Sequence, residues 1–153
     1  MKKFIIDGNN LIGKIKSLQN IQKSNKQSSR EKLAFLIENY FNSKKIKVSL
    51  HFDGHQNLAI KISSAKIVYS ENRTADEKIK DEIASSKNPR NITLVTSDNN
   101  LKEFARVCSC NIISSEEFAL EIQKRNESDE EEARIRSIDN TEELKKLFKV
   151  KNK

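Results

Sequence analysis

Short β-branched runs and amphipathic stretches alternate about five times along residues 1–125, and few folds accommodate that order. Phe4-Ile5-Ile6 ends in Asp7-Gly8-Asn9-Asn10, the pattern of a buried strand closed by a turn. Ser28-Ser29-Arg30-Glu31 has the form of a capping box, and Leu33, Leu36, Ile37, Tyr40 and Phe41 follow at helical spacing. Ile46, Val48, Leu50 and Phe52 alternate with Lys47, Ser49 and His51, which predicts a strand with one apolar face, stopped by Asp53-Gly54. On that pattern His51 belongs to the polar face, at the surface or behind the site.

The same logic continues through the second half. Ala65 to Tyr69 reads as a third strand, and Thr74-Ala75-Asp76-Glu77 opens a helix carrying Ile79 and Ile83. Asn88-Pro89 ends that helix. Ile92 to Thr96 is a β-branched strand running into Ser97-Asp98, which cap a helix buried through Leu101, Phe104, Ala105 and Cys108. Asn111-Ile112-Ile113 is a short last strand, and Ser114-x-x-Glu117 caps a helix with Phe118 and Ile122. The expectation is an α/β domain with a mostly parallel central sheet of about five strands and helices on both faces.

A chain of 153 residues has room for one such domain. We place it at residues 1–125 and read 126–153 as a charged appendage, partly helical or disordered, because Glu127 to Glu132 form an acidic run before a lysine-rich end. Residues 17–27 are polar and lysine-rich and read as a loop. Asp7 interrupts the first apolar stretch too early for a secretory leader, and no run approaches the ~20 apolar residues of a membrane span, so the expectation is a cytoplasmic protein with no membrane contact. Cys108 and Cys110 are too close for an ordinary structural disulfide and read as reduced thiols.

Charge narrows the partner. Residues 1–60 hold 11 Lys/Arg against 4 Asp/Glu, while the other 93 residues hold 18 of each, so the whole net charge of +7 lies in the N-terminal part. Such a field attracts polyanions, of which nucleic acid is the commonest in a cytoplasm, although a solvated lysine-rich surface accounts for it equally well.

Three of the strands end in aspartates, Asp7, Asp53 and Asp98, and Asp76 falls in the first turn of the helix after the third strand. In a parallel sheet those four acids converge on the carboxyl edge, where α/β folds bind ligands. Each has a local explanation as well: Asp7-Gly8 and Asp53-Gly54 are turn dipeptides, Asp76 suits a helix N-terminus, and Asp98 is a helix cap. Together, converging carboxylates repel one another unless they hold protons or cations. Hard oxygen donors of this kind suit Mg²⁺ or Mn²⁺, and a metal site beside a basic surface suits phosphodiester hydrolysis.

In their order, Phe4-Ile5-Ile6-Asp7-Gly8-Asn9-Asn10-Leu11-Ile12, Phe52-Asp53-Gly54, Thr74-Ala75-Asp76-Glu77-Lys78-Ile79 and Val95-Thr96-Ser97-Asp98-Asn99-Asn100-Leu101 resemble the YacP-like branch of the NYN domains, within the PIN-like nuclease superfamily. The resemblance covers about residues 1–120 and implies a Rossmann-like parallel sheet and a metal-dependent ribonuclease. Carried over residue by residue, it implies that Asp7, Asp76 and Asp98 are the catalytic, metal-binding acids, with Asp53 a further ligand. It implies that Asn9 and Asn10 orient Asp7 or contact phosphate, that Ser97 and Asn99 act likewise around Asp98, and that Arg30 binds substrate, with a surface ion pair as the equal alternative for Arg30. Lys14, Lys16 and Lys44 are candidates to track the RNA backbone. Glycines usual in the family near Ala65 and near Cys108 to Cys110 are missing, so those turns are expected to differ.

The expectation is therefore an Mg²⁺- or Mn²⁺-dependent endoribonuclease acting on RNA, with messenger RNA at the ribosome as one substrate the resemblance implies. The alternative is an RNA- or ribosome-binding module without turnover, in which the acids are caps and turns.

Overall fold

β1 (Lys3–Asp7) lies at the centre of a sheet of five parallel strands in the order β3-β2-β1-β4-β5, formed with β2 (Lys47–Phe52), β3 (Lys66–Tyr69), β4 (Ile92–Val95) and β5 (Asn111–Ile113). In this computed structural model the backbone of residues 1–151 and the side chains of residues 1–137 are described. Three helices, α1 (Gly8–Ile12), α2 (Lys16–Ser24) and α3 (Lys26–Phe41), carry the chain from β1 to β2. α4 (Ala75–Ala84) and a 3-10 turn at Pro89–Asn91 lead from β3 to β4, α5 (Asn99–Val107) leads to β5, and α6 (Ser115–Lys151) follows. α6 passes through residue 126 without a break.

Period-two alternation sends successive residues of each strand to opposite faces. Ile6, Val48, Leu50, Phe52 and Val95 pack with α1, α2, α3 and the first turns of α6. Ile5, Ile92 and Leu94 pack on the other face with Ile79 and Ile83 of α4 and Leu101 and Ala105 of α5. The chain reverses direction across the sheet beside β1, with β2 on one flank and β4 on the other. That is the position at which open α/β sheets form a crevice at their carboxyl ends.

Three local expectations are corrected. Residues 17–27 are not a loop: α2 occupies most of them, because Leu18 is buried and Ile21 packs against the same core one helical turn on. α3 starts at Lys26 rather than at the Ser28–Glu31 box, because Asn25 reaches the helix first, its side-chain oxygen accepting from the Ser28 amide at 3.0 Å. His51 is not at the surface. The second face of β2 is covered by α4, as both faces of a parallel sheet usually are, leaving His51 2% exposed with its Nε2 2.8 Å from Glu82 Oε1. Lys3 closes on the other Glu82 oxygen at 2.7 Å. Burial works to raise the Glu82 pKa, but bonds from His51, Lys3 and Ser49 outweigh it and hold the group at about 2.

The turn after α5 keeps its shape without glycine. Ser109 takes φ 67, with Ser109 N–H donating to Arg106 and Cys110 N–H to Ala105, the two bonds of a Schellman cap. Nothing at Ala65 takes a positive φ, so the backbone there does not call for glycine.

Candidate active site

Asp7 ends β1 and stands at the N-cap of α1 without the side-chain bond of a full cap, although the Asn10 amide in the first turn favours its charged form. Its Oδ2 instead accepts from Thr96 Oγ1 at 3.0 Å, and the same hydroxyl accepts from the Asp98 amide at 3.1 Å. One buried threonine at the end of β4 thus joins two of the four acids. Asp98 does cap α5, its Oδ1 accepting from Leu101 N–H at 2.9 Å. Asp53 Oδ1 accepts from Ala75 N–H at 2.8 Å and so fixes the start of α4, where Thr74 is the cap proper and Asp76 sits in the first turn. Asp53 and Asp98 each have one oxygen engaged with a helix, whereas the main side-chain bond of Asp7 runs across the sheet to Thr96.

The four acids are electrostatic neighbours. Burial, reinforced by the charges of Asp76 and Asp53 and opposed by the Thr96 bond and the Asn10 amide, pushes Asp7 up to about 6. Burial together with repulsion from Asp98 and Asp53 raises Asp76, against a smaller opposing pull from Lys80. Each acid thus feels at least one other across the carboxyl edge. Among the described residues no three Asp, Glu, His or Cys side chains stand close enough to form a ready-made metal cage.

The asparagines after Asp7 brace this edge. Asn9 Oδ1 accepts from the Asp53 amide at 3.0 Å, which ties the end of β1 to the end of β2. Asn10 Oδ1 accepts from the Ser97 amide at 3.0 Å and from Ser115 Oγ at 2.6 Å, tying it to β4 and α6. Gly8 is required between them: a Cβ there would stand 2.5 Å from the His51 carbonyl oxygen and 2.7 Å from the Phe52 ring. Gly54 takes φ 82, which lets the chain turn away after Asp53.

The other expected residues divide. Asn99 is exposed on the first turn of α5 beside Asp98. Ser97 Oγ donates to Glu116 at 2.6 Å and accepts from the Ser115 amide. Lys14 is paired with Glu116 at 3.2 Å. Arg30 lies inside, 4% exposed, donating to the backbone carbonyls of Asp53 and His55 with its guanidinium over the Phe52 and Tyr69 rings. It supports the Asp53 loop from behind. Lys16 opens α2 in solvent. Lys44 is in the turn before β2, at the opposite edge of the sheet, its Nζ 3.5 Å from the centre of the Tyr40 ring.

Two residues escaped the sequence reading. Thr96 counted only as the last residue of a β-branched run, yet its hydroxyl organises Asp7 and Asp98; its place directly before Ser97-Asp98 was the available signal. Glu116 adds a fifth carboxylate to this edge, and the Ser97 bond, a backbone amide and Lys14 hold it at about 2.

A family model, the YacP-like NYN domain, matches residues 4–152. The chain belongs to that family. Two solved structures share its fold. The crystal structure of Rae1 (YacP) from Bacillus subtilis, W164L mutant, superposes with a TM-score of 0.73 at 23% identity, covering 90% of this chain and 84% of that one. Another crystal structure of Rae1 (YacP) from the same organism gives 0.70 at 21% identity, covering 97% and 93%. No curated protein is significantly similar in sequence. Membership in the YacP-like NYN family carries a nuclease-type, RNA-related function, and the PIN-like α/β sheet with its acidic carboxyl edge is the architecture that goes with it. No described helix is long and apolar enough to cross a membrane.

Proposed function

We propose that this protein is an endoribonuclease that uses Mg²⁺ or Mn²⁺ to hydrolyse RNA phosphodiester bonds at the carboxyl edge of its sheet. The observation that carries the reading is Asp7: a carboxylate 5% exposed, held by Thr96, and pushed up to about 6 by burial and by neighbouring acids. A protein keeps such a group at a cost in stability, and function is the usual reason.

The donor set fits a hard divalent ion: Asp7, Asp76 and the oxygens of Asp53 and Asp98 not engaged with helices are carboxylates, with no soft ligand among them. Mg²⁺ commonly takes one or two carboxylates plus substrate phosphate and water, so an open edge without a closed cage suits it. When bound, the metal would activate water for attack on the scissile phosphate and stabilise the leaving oxygen, giving a 5′-phosphate and a 3′-hydroxyl. Thr96 holds Asp7 and the Asp98 backbone in one register. Asn9 and Asn10 keep the ends of β2 and β4 from separating under the repulsion of the acids, and Arg30 holds the Asp53 loop. Asn99, exposed beside Asp98, is placed to donate to a phosphate oxygen. Messenger RNA at the ribosome is the substrate we favour within this reading, on the strength of family resemblance.

Labelled RNA incubated with Mn²⁺ is expected to be cut by the wild type and not by Asp98→Asn. Equal cleavage by both would remove the site from the mechanism. A second reading, an RNA-binding module without turnover, draws on the lack of a closed cage among the described residues. It predicts no gain in thermal stability with millimolar Mn²⁺, whereas an acid cluster gains stability by mass action.

A further inference from the structure

The basic excess of the sequence does not gather at the acidic edge. β1 opens at Lys3, β2 at Lys47 and β3 at Lys66, while Lys87 and Arg90 precede β4, so the amino edge of the sheet is ringed with cations. The strands close at the other end on Asp7, Asp53 and Asp98. Lys3 and Asp7 stand at opposite ends of one strand, about 13 Å apart at ~3.3 Å per residue. The molecule is polar along its strands.

Two adjoining grooves make this edge concave. One of about 420 Å³ runs past Lys3, Lys47 and Lys66, and the next, of about 270 Å³, runs past Lys3, Lys47, Lys87, Asn88 and Asn91. They share Lys3 and Lys47 and form one band across the sheet. No acidic side chain lines either groove. Two carboxylates bond to the lining from behind, Glu82 to Lys3 and Glu38 to Ser63 and Ser64, which leaves Lys47, Lys66 and Lys87 as the free lysines of the band among the described residues. Lys47, Lys66 and Lys87 are exposed, and none is in an ion pair among the described residues.

We infer that this band is a second RNA contact, which grips the phosphate backbone of a folded or double-stranded RNA at the pole opposite the acidic edge. The ligand must be a continuous run of acceptors, since the lining offers ammonium groups and asparagine amides between them. No aromatic side chain lines either groove, so unpaired bases find nothing to stack on, and recognition falls to backbone and shape. A membrane surface would require an apolar wedge, and the band offers Met1 as its one exposed large apolar residue. A strand at the carboxyl edge lies a full strand length away, so the two poles serve different segments of RNA. Tethering a folded segment at one pole raises the effective concentration of its single-stranded neighbour at the other.

The inference goes beyond the nuclease reading and is measured without cleavage. Fluorescence anisotropy in EDTA, across a salt titration, compares a short RNA duplex, an oligouridine of the same charge and polyglutamate. Wild type is expected to prefer the duplex. K47E/K66E/K87E is expected to lose duplex affinity on the order of a hundredfold, and its salt slope to flatten by about 2–3, since each lost phosphate contact removes ~0.9. K47Q/K66Q/K87Q guards against misfolding and should lose less, in the same direction. Duplex affinity unchanged in both variants, or polyglutamate bound as tightly as duplex by the wild type, would overturn the inference. Failure of the nuclease reading looks different: no cleavage by wild type with Mn²⁺, with the duplex losses intact.

Discussion

Replacing Asp7 by asparagine is expected to stabilise the metal-free protein while abolishing cleavage. Asp7 is raised from an ordinary 3.8 to about 6, with burial the largest cause. A raised carboxylate favours the protonated form in the fold, so stability is fully present below pH ~3.8 and declines as pH climbs to ~6, beyond which the loss is constant. Two pH units at ~1.4 kcal/mol each put that loss at about 3 kcal/mol near pH 7.5 and about 1 kcal/mol near pH 4.5. Asparagine keeps an oxygen for the Thr96 hydroxyl and carries no charge for Asp76 and Asp53 to repel. In EDTA, Asp7→Asn should therefore melt roughly 6–12 °C above wild type near pH 7.5, narrowing to roughly 2–4 °C near pH 4.5, at ~2–4 °C per kcal/mol. Added Mn²⁺ should raise the wild type and leave the variant where it was. A variant that melts at or below wild type near pH 7.5, or by a margin that ignores pH, would refute the claim that Asp7 is a destabilising buried charge.

Gly8→Ala places a methyl group 2.5 Å from the His51 carbonyl oxygen, so β1 and β2 must separate at the level of Asp7; a loss of about 1–3 kcal/mol in urea unfolding is expected, and an unchanged midpoint would mean the strands yield freely. Glu38 accepts four bonds from the backbone and hydroxyls of Ser63 and Ser64, which hold it at about 2. That depressed carboxylate contributes stability above pH ~4.5 that disappears as pH falls toward ~2; Glu38→Gln should cost about 1–2 kcal/mol near neutrality after allowance for partial exposure, and nothing near pH 2, by denaturant midpoints at both.

The parallel sheet was legible because each strand was a compact β-branched run ending at a turn, and each acid stood at a strand end or a helix start. Convergence of Asp7, Asp53, Asp76 and Asp98 then follows from strand direction alone. His51 misled because alternation marks a polar residue without saying what covers it: Ser49 and His51 on β2 face Glu82, not water. α2 was hidden by composition, its few apolar residues diluted by lysine, glutamine and serine. The partners of Thr96, Asn9, Asn10 and Arg30 were illegible for a different reason. Each bonds a partner far along the chain, and neither propensity nor periodicity carries information about such pairs. Arg30 in particular has the sequence dress of a surface helix residue and lies inside.

The bonds that align the acidic edge join distant stretches of polypeptide: Thr96 meets Asp7 across 89 residues, and Ser115 meets Asn10 across 105. During synthesis Asp7 is made well before Thr96, and Asn10 well before Ser115, so these bonds form only once the later stretches have emerged. A chain ending before α6 keeps the Thr96 and Asn9 bonds but lacks the Ser115 hydroxyl that holds Asn10 and the Phe118 and Ile122 side chains of the core, so the last brace on the acidic edge arrives with α6.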